Sequence, residues 1–204
     1  MTTLFTLIVL FFSIIIHEIA HGSAAHALGD PTAKNEGRLT LNPLKHIELF
    51  GSIVLPLMLL FLTAGRGPIF GWAKPVPVNP YNFRDKKWGI VKVSIAGPAM
   101  NFLVAIIFGL IIRFFPLPTS FFIFFSIIVV YNFAWGIFNL IPIPPLDGSH
   151  IFLNFLPERF LKLKIIFEQY GFYILLFFIF FGLQWVYLLA MILYASVCGQ
   201  LLTL

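Results

Sequence analysis

The chain is poor in charged residues and nearly free of cysteine. Only 10% of its 204 residues are charged, whereas soluble domains carry about 25%. Its single cysteine, Cys198, excludes an internal disulfide framework and a metal cluster held by cysteines. The sequence also has no internal repeat and no low-complexity tract. These absences exclude disulfide-stapled domains and cysteine-rich metal domains.

What the sequence has instead is apolar side chains. Hydrophobic residues make up 60% of the chain, 26 residues are phenylalanine, and the mean hydropathy is +0.98. This composition is typical of an integral membrane protein whose helices face lipid. The formal net charge is +5, but the basic residues flank the apolar runs. We therefore attribute them to membrane topology and expect no nucleic-acid partner.

Four apolar runs are long enough to cross a bilayer, which takes about 20 residues. They cover residues 4–28, 93–115, 120–141 and 172–202. The last run is long for one span and contains Gly182, so we expect it to tilt or to break into a hairpin. The sequence therefore predicts an all-α polytopic membrane protein with four to six transmembrane segments, folded as one membrane-embedded domain over residues 1–204.

A fifth apolar run, residues 50–64, is shorter and leads into a stretch rich in Gly and Pro. If it crossed the membrane fully, four basic residues would lie on one side and nine on the other. If it entered and returned, only Arg66 and Arg113 would lie outside, with eleven inside. Cytoplasmic loops carry an excess of Lys and Arg, so we predict a re-entrant segment near residues 50–80. The N-terminus is then outside, and the loops 28–49, 74–92 and 142–171 are cytoplasmic.

Residues 36–43, EGRLTLNP, alternate polar and apolar side chains from Arg38 to Asn42. Alternation with a period of two predicts a short strand or hairpin. Pro43 ends the pattern.

The first apolar run contains HEIAH at residues 17–21. His17 and His21 are four residues apart and lie on one helix face, where both imidazoles can reach one metal ion. Glu18 is close enough to act on water activated by that ion, and this is the HExxH spacing of zinc metalloproteases. The alternative is a polar pair hydrogen-bonded inside a helix bundle. Each ionisable group buried in a membrane costs about 2.5–3.5 kcal/mol or more, which favours a functional role.

Catalytic zinc takes three protein ligands and keeps one position open. The candidates for the third ligand are His26, His46, His150, Asp30, Asp85 and Asp147. Asp147 follows the third long apolar run and returns to the same side of the membrane as His17 in the predicted topology. An aspartate also offsets more of the zinc charge than a third histidine does. Two alternatives stay open: Asp147 as the N-cap of a helix over GSHIFLNFL, and His150, one turn further on, as the ligand.

Three motifs together resemble the site-2 protease family of intramembrane zinc metalloproteases. They are HEIAH, SIAGPAMN at residues 94–101 and NLIPIPPLDG at residues 139–148. The resemblance covers nearly the whole chain, and its most specific part is HEIAH followed by NLIPIPPLDG, both on hydrophobic segments. GRLTLNPLKHIELFGSIVLP and GWAKPVPVNP further resemble the compact prokaryotic branch, which lacks PDZ and CBS domains.

The resemblance implies one Zn²⁺ per chain, bound by His17, His21 and Asp147, with Glu18 as the general base. It also implies that Asn139 contacts substrate or stabilises the oxyanion. Residues 36–43 would form a membrane-associated β-loop that clamps an extended substrate.

The proline residues and two other polar residues complete the candidate set. Pro142, Pro144 and Pro145 stop the helix, and we expect them to hold an extended backbone that delivers Asp147. A substrate peptide could lie beside this backbone, with Pro142 and Pro144 as the candidate contacts. Asn101 is interpreted as a packing residue rather than a catalytic one. His26 is a candidate for lining a water route from the cytoplasm.

We therefore expect a zinc-dependent intramembrane endopeptidase that cleaves membrane proteins in or near their transmembrane segments. Its partners are a transmembrane substrate and the lipid bilayer, and its location is the prokaryotic cell membrane with the active site toward the cytoplasm. The alternatives are a non-proteolytic metal-binding or metal-transporting membrane protein and an inactive scaffold. Residues 120–141 and 172–202 carry no acidic side chain, which argues against an ion path through the bilayer. The sequence does not specify an oligomeric state.

Overall fold

The computed structural model describes residues 2–62 and 73–199. The first part contains α1 (Thr2–Ala27), the short α2 (Thr32–Asn35), a π-helical turn (Leu49–Val54) and α3 (Leu55–Leu62). The second part contains α4 (Gly89–Phe114), α5 (Thr119–Asn139), α6 (Asp147–Phe155), α7 (Leu161–Phe181) and α8 (Leu183–Cys198). Short 3₁₀ turns cover Pro43–Lys45, Pro80–Asn82 and Glu158–Phe160.

Four helices in the described residues are long and apolar enough to cross a membrane. They are Leu4–Ala27, Gly89–Phe114, Thr119–Asn139 and Leu161–Phe181. Large apolar side chains are exposed on their outer surfaces; on α7, for example, Phe172, Phe177 and Phe180 are each about two-thirds exposed. Such surfaces suit lipid rather than water. The prediction of an all-α polytopic membrane protein is confirmed.

The last apolar run is interrupted at Gly182, between α7 and α8. A Cβ atom at position 182 would lie 2.4 Å from the Phe178 ring, so only glycine fits this joint without a shift. Gly171 on α7 packs against Pro144 at one end of the bundle, whereas Tyr194 on α8 reaches Ser126 near the start of α5. Between these contacts the chain crosses the bundle once. The expected break is present, and it is a joint between two helices rather than a hairpin.

Helices α1, α4, α5 and α8 form the packed bundle. Its apolar core lies between α4, α5 and α8 and is made of Ala105, Ile112, Val129, Val130, Phe133, Ala190, Tyr194 and Cys198. The interior between α1, α4 and α5 is instead polar, because His17, Asn101 and Asn132 are buried there. The fold therefore separates an apolar half of its interior from a polar half.

The loops that follow α1 and precede α4 meet at the end of the bundle where α1 finishes. The backbone N–H of Arg84 donates to Leu28 O at 2.8 Å, and that of Lys74 donates to His46 O at 2.8 Å. The chain therefore leaves this end after residue 46 and is back by residue 74. This proximity of the two ends is what the predicted re-entrant segment requires; its predicted far turn near Arg66 lies outside the described residues.

Residues 36–43 contain no strand, so the expected β-loop is absent from this described segment. Side-chain hydrogen bonds to backbone carbonyls are found here instead of pairing with a neighbouring strand. Arg38 Nη2 donates to the carbonyls of Lys74 and Pro75 at 2.7 and 3.1 Å, and His46 Nε2 donates to Thr40 O at 2.8 Å. Burial does not follow the alternation either, since Arg38 is buried and Leu41 is 58% exposed.

Candidate metal centre

Helix α1 presents His17 and His21 on its inner face, one turn apart. The two side chains are buried, with 3% and 8% exposure, and their ring centroids are 4.5 Å apart. Their Nε2 atoms approach to 2.9 Å. The helical period alone accounts for this pairing, because residues i and i+4 share one face.

Asp147 reaches the same point from the first turn of α6. A compact turn follows α5, in which Ile143 N donates to Ile141 O and Leu146 N donates to Ile143 O. The Asp147 Oδ2 atom then lies 3.0 Å from His17 Nε2 and 3.2 Å from His21 Nε2. Burial by itself raises the pKa of the Asp147 carboxyl, but its interactions with the two facing imidazoles lower it to about 2.

The turn that delivers Asp147 depends on the glycine after it. A Cβ atom at Gly148 would lie 2.2 Å from the carbonyl oxygen of Leu140, where the backbone at the end of α5 passes. The proline segment is therefore a tight turn rather than the extended stretch we expected. Asp147 is the first residue of α6, and its side chain makes no capping hydrogen bond, which removes the N-cap alternative.

Hydrogen bonds on the far side of each ring determine its tautomer. His21 Nδ1 lies 2.8 Å from Val93 O, and a carbonyl only accepts, so Nδ1 carries the hydrogen. His17 Nδ1 lies 2.7 Å from Asn101 Oδ1 and donates in the same way. In a neutral imidazole the other nitrogen is then an unprotonated acceptor. Metal ligation requires the neutral form of both imidazoles, and in that form both Nε2 lone pairs face Asp147.

The three facing atoms suit a bound cation. Asp147 Oδ2 is buried and accepts no well-aligned hydrogen bond, although two nitrogens lie at contact distance. Three electron-pair donors this close repel one another unless a cation lies between them. Tetrahedral ligands about 2.0–2.1 Å from zinc are separated by about 3.3 Å, close to the separations seen here. His17, His21 and Asp147 are the one group of potential metal ligands in the described residues.

The Glu18 side chain contacts the loop before α4 and lines the same cavity as His17 and His21. Its Oε2 accepts a hydrogen bond from the backbone N–H of Val76 at 2.7 Å. Residues 73–79 run over α1 at this point, where Gly22 admits the Val76 side chain, since a Cβ atom at position 22 would lie 2.8 Å from it. The loop thus fixes the carboxylate beside the candidate metal ligands.

A cavity of about 430 Å³ opens onto these groups. Its lining residues come from α1, the loop before α4, the start of α4 and the α5–α6 turn; they include His17, Glu18, His21, Val76, Val78, Ser94, Asn139, Pro145, Asp147 and His150. A cavity bordered by a carboxylate, imidazoles and apolar side chains is the usual form of a small binding or catalytic site. It is large enough for several peptide atoms and a water molecule.

The remaining predicted residues divide into those at the cavity and those away from it. Asn139 lines the cavity and donates one amide hydrogen to Trp135 O at 2.9 Å, which leaves its second hydrogen available. Pro142 and Pro144 are not among the lining residues, and Pro144 packs under Gly171 instead. His150 lines the cavity but stands outside the group of potential ligands.

The other ligand candidates are engaged elsewhere or exposed. Asp30 accepts hydrogen bonds from Thr32, Asn79 and Asn82, and Asp85 pairs with Lys92 at 2.6 Å. His46 donates to Thr40 O, and His26 is exposed at the end of α1. Asn101, interpreted from the sequence as packing, is in direct contact with a candidate ligand. The signal for it was an amide four residues after Gly97 in an apolar span.

Comparison with known proteins agrees with this geometry. A family model described as peptidase family M50 matches residues 117–182. The Bacillus subtilis (strain 168) protein YwhC, named as a zinc metalloprotease, is 40% identical over 181 residues, which cover 84% of this chain and 78% of YwhC. The chain belongs to peptidase family M50, the site-2 protease family.

Two further proteins named as zinc metalloproteases resemble this M50 chain over shorter stretches. Rip2 of Mycolicibacterium smegmatis is 34% identical over 139 residues, covering 67% of this chain and 51% of Rip2. MJ0392 of Methanocaldococcus jannaschii is 30% identical over 91 residues, covering 44% of this chain and 27% of its own length. No solved structure matches the chain.

The M50 chain is therefore a zinc metalloendopeptidase and a multi-pass membrane protein. The predictions of family, enzyme class and zinc cofactor are confirmed. The relatives favour these predictions over the metal-transport and scaffold alternatives, because all three are named as metalloproteases.

Proposed function

We propose that this M50 peptidase cleaves membrane-protein substrates in or near their transmembrane segments, with one zinc ion bound by His17, His21 and Asp147 and with Glu18 as the general base. One observation supports this proposal above the others. Side chains from α1 and α6, which are remote in sequence, bring two imidazole nitrogens and a carboxylate oxygen within 3.2 Å of one another. The set has the composition and count of a catalytic zinc site with an open position.

The reaction would depend on charge placed by this chain's own residues. When bound, zinc would make water acidic enough to lose a proton near neutral pH and would polarise the scissile carbonyl. Glu18 would accept the proton from the attacking water and pass it to the leaving amine. The Val76 N–H holds the Glu18 carboxylate in place for this transfer.

Asn139 would act on the substrate from the cavity wall. Asn139 has a free amide hydrogen at the cavity wall and would donate it to the substrate backbone or to the developing oxyanion. Pro142 and Pro144, away from the cavity, would contribute by shaping the α5–α6 turn rather than by touching substrate. Pro145 is the proline of this turn that lines the cavity.

The location of the cavity supports a membrane substrate. His17 and His21 lie in the second half of the Leu4–Ala27 span, so the peptide bond to be cut must reach the depth of the last turns of a membrane helix. A helical substrate has its peptide groups hydrogen-bonded internally and must unwind locally before attack. The basic loops at this end of the bundle support an active site that faces the cytoplasm of a prokaryotic cell.

The test is Glu18→Gln in the purified full chain, reconstituted in liposomes with a tagged single-span substrate. We expect cleavage to slow by about 10²- to 10⁴-fold, because general acid–base catalysis contributes that much. Bound zinc, measured by mass spectrometry, should stay at one per chain. Glu36→Gln, an exposed carboxylate on the loop after α1, is the matched control.

Three results would contradict the proposal. Glu18→Gln could cleave at the wild-type rate, a chelator could leave wild-type cleavage unchanged, or mass spectrometry could map the cut far from the substrate's transmembrane segment. A zinc flux into the liposomes without cleavage would favour the transporter alternative instead.

A further inference from the structure

Asn101 is buried completely in the centre of the bundle, where α1, α4 and α5 meet. Its Oδ1 accepts the hydrogen of His17 Nδ1 at 2.7 Å. Its Nδ2 donates to Ser13 O at 3.1 Å and to Asn132 Oδ1 at 2.9 Å. Asn132, 2% exposed, in turn donates from Nδ2 to Ile128 O at 2.9 Å. We call this chain from Ile128 O to His17 the amide relay.

The direction of the amide relay is fixed at both ends by groups that cannot donate. Ser13 O and Ile128 O are backbone carbonyls and only accept. If Asn101 turned over, its Oδ1 would face Ser13 O. If Asn132 turned over with it, a second oxygen would face Ile128 O. Each turned amide would leave buried polar atoms unsatisfied, at a cost of about 1–3 kcal/mol.

This directionality reaches the metal centre through His17. Because Asn101 must present oxygen to His17 Nδ1, that nitrogen must carry the hydrogen, and Nε2 must present its lone pair. The same Asn101 amide binds Ser13 O, the carbonyl that α-helical geometry pairs with the His17 backbone N–H. The relay therefore constrains both the tautomer and the position of His17.

We propose that Asn101 and Asn132 are positioning residues that hold His17 in its metal-binding tautomer, with Asn132 acting from a distance through Asn101. The inference rests on the proposed role of His17 as a zinc ligand. Neither amide touches the reacting atoms. A purely structural role as interhelical glue would stabilise the bundle without altering zinc affinity.

Zinc affinity of the full chain, measured by competition with a chromophoric chelator at fixed pH, separates the two roles. We expect Asn101→Leu to bind zinc about 10- to 100-fold more weakly, as for partners that orient metal ligands. Asn132→Leu should weaken binding by about tenfold. Asn132→Asp should bind close to wild type, because a carboxyl buried between helices stays protonated and keeps one acceptor and one donor.

A double variant shows whether Asn132 acts through Asn101, and a control variant shows what the loss of an unrelated buried hydrogen bond does. The double variant Asn101→Leu/Asn132→Leu should bind zinc no more weakly than Asn101→Leu alone. Ser126→Ala removes another buried hydrogen bond of α5, the one to Tyr194 at 2.9 Å, and should lower thermal stability while leaving zinc affinity unchanged. If Asn132→Leu does not fold, Asn132→Ala takes its place.

The inference is overturned if Asn101→Leu and Asn132→Leu both bind zinc like wild type while His17→Ala loses it. It is also overturned if Asn132→Asp binds zinc as weakly as Asn132→Leu. Retention of zinc affinity by His17→Ala would instead contradict the proposed ligand set itself. The two failures are therefore distinguishable in one series of measurements.

Discussion

Among single residues, Gly97 decides how closely α4 approaches the two histidines. A Cβ atom at this position would lie 2.4 Å from His21 Nε2 and 2.7 Å from His17 Cε1. Such contacts are shorter than carbon and nitrogen atoms tolerate, so the rings would have to move. A glycine in an apolar helix thus leaves room for the metal centre.

Gly97→Ala should therefore reduce zinc occupancy while leaving the bundle folded. Overpacking costs about 1–3 kcal/mol, which corresponds to roughly tenfold or more in zinc affinity if the strain falls on the rings. Zinc content by mass spectrometry checks this. Gly109→Ala is the matched control on the same helix, since its Cβ would meet Val197 at 2.7 Å, away from the centre. Equal zinc content in both variants would contradict this account.

The sequence identified some of the candidate residues more directly than others. The pairing of His17 with His21 follows from the helical period, and so it needed no tertiary structure. Asp147 was selected among six candidates by its topology and by family resemblance. The contact between Asn101 and His17 was not predicted, because it depends on which face of α4 meets α1, and hydropathy does not report the rotation of an apolar helix.

Among elements, the segment of residues 73–79 lies against the end of α1 and is held there in part by a hydrogen bond to Asp30. Asp30 Oδ2 accepts from Asn79 N at 2.7 Å, and Asp30 Oδ1 accepts from Asn82 Nδ2 at 2.8 Å. Burial by itself raises the pKa of Asp30, but hydrogen bonds from Thr32, Asn79 and Asn82 lower it overall. The carboxylate thus stabilises the segment above its unfolded pKa of about 3.9, and this contribution is lost as the pH falls through the lowered value.

Asp30→Ala should loosen this segment and with it the N–H that holds Glu18. We expect amide hydrogen exchange in residues 76–83 to become about tenfold faster, because breaking buried hydrogen bonds costs about 1–3 kcal/mol. Exchange within α5 should not change. Glu36→Ala serves as the control. Equal protection of residues 76–83 in the two variants would contradict the proposed stabilisation of this segment by Asp30.

Hydropathy predicted the positions of the helices, whereas side-chain patterns did not predict the conformation of the loops. The spans of α1, α4 and α5 were predicted to within a few residues because apolar length determines them. Residues 36–43 were predicted as a β-loop because side-chain alternation does not distinguish strand pairing from pairing with side chains. Arg38 binds the carbonyl of Lys74 and His46 binds that of Thr40, and local sequence patterns do not identify such partners.

For the whole molecule, the contacts arrange the chain so that one end of the bundle carries the candidate site and the basic loops. Arg113 lies at the opposite end, where its Nη1 donates to Ser196 O at 3.2 Å beside the end of α8. The sequence left a tilt and a hairpin at Gly182 as alternatives, because residues 172–202 carry no charged side chain that would mark a turn. Only the contacts at Gly171 and Tyr194 reveal that this part of the chain crosses once.

This arrangement predicts opposite accessibility for the two ends. In a Cys198→Ser background, Lys34→Cys should react with a membrane-impermeant thiol reagent only in inverted vesicles, because its loop is cytoplasmic in the proposed topology. Pro116→Cys, exposed between α4 and α5, should react only in right-side-out membranes, such as spheroplasts. Labelling of both positions from the same side would overturn the topology.

The most direct test of the metal centre is the zinc content of the purified chain and four single variants. We expect one zinc per chain in the wild type and in His150→Ala, and a loss of at least about tenfold in affinity for His17→Ala, His21→Ala and Asp147→Ala. Full zinc in Asp147→Ala together with loss in His150→Ala would contradict the proposed centre, because the third ligand would then be the histidine one turn further along α6.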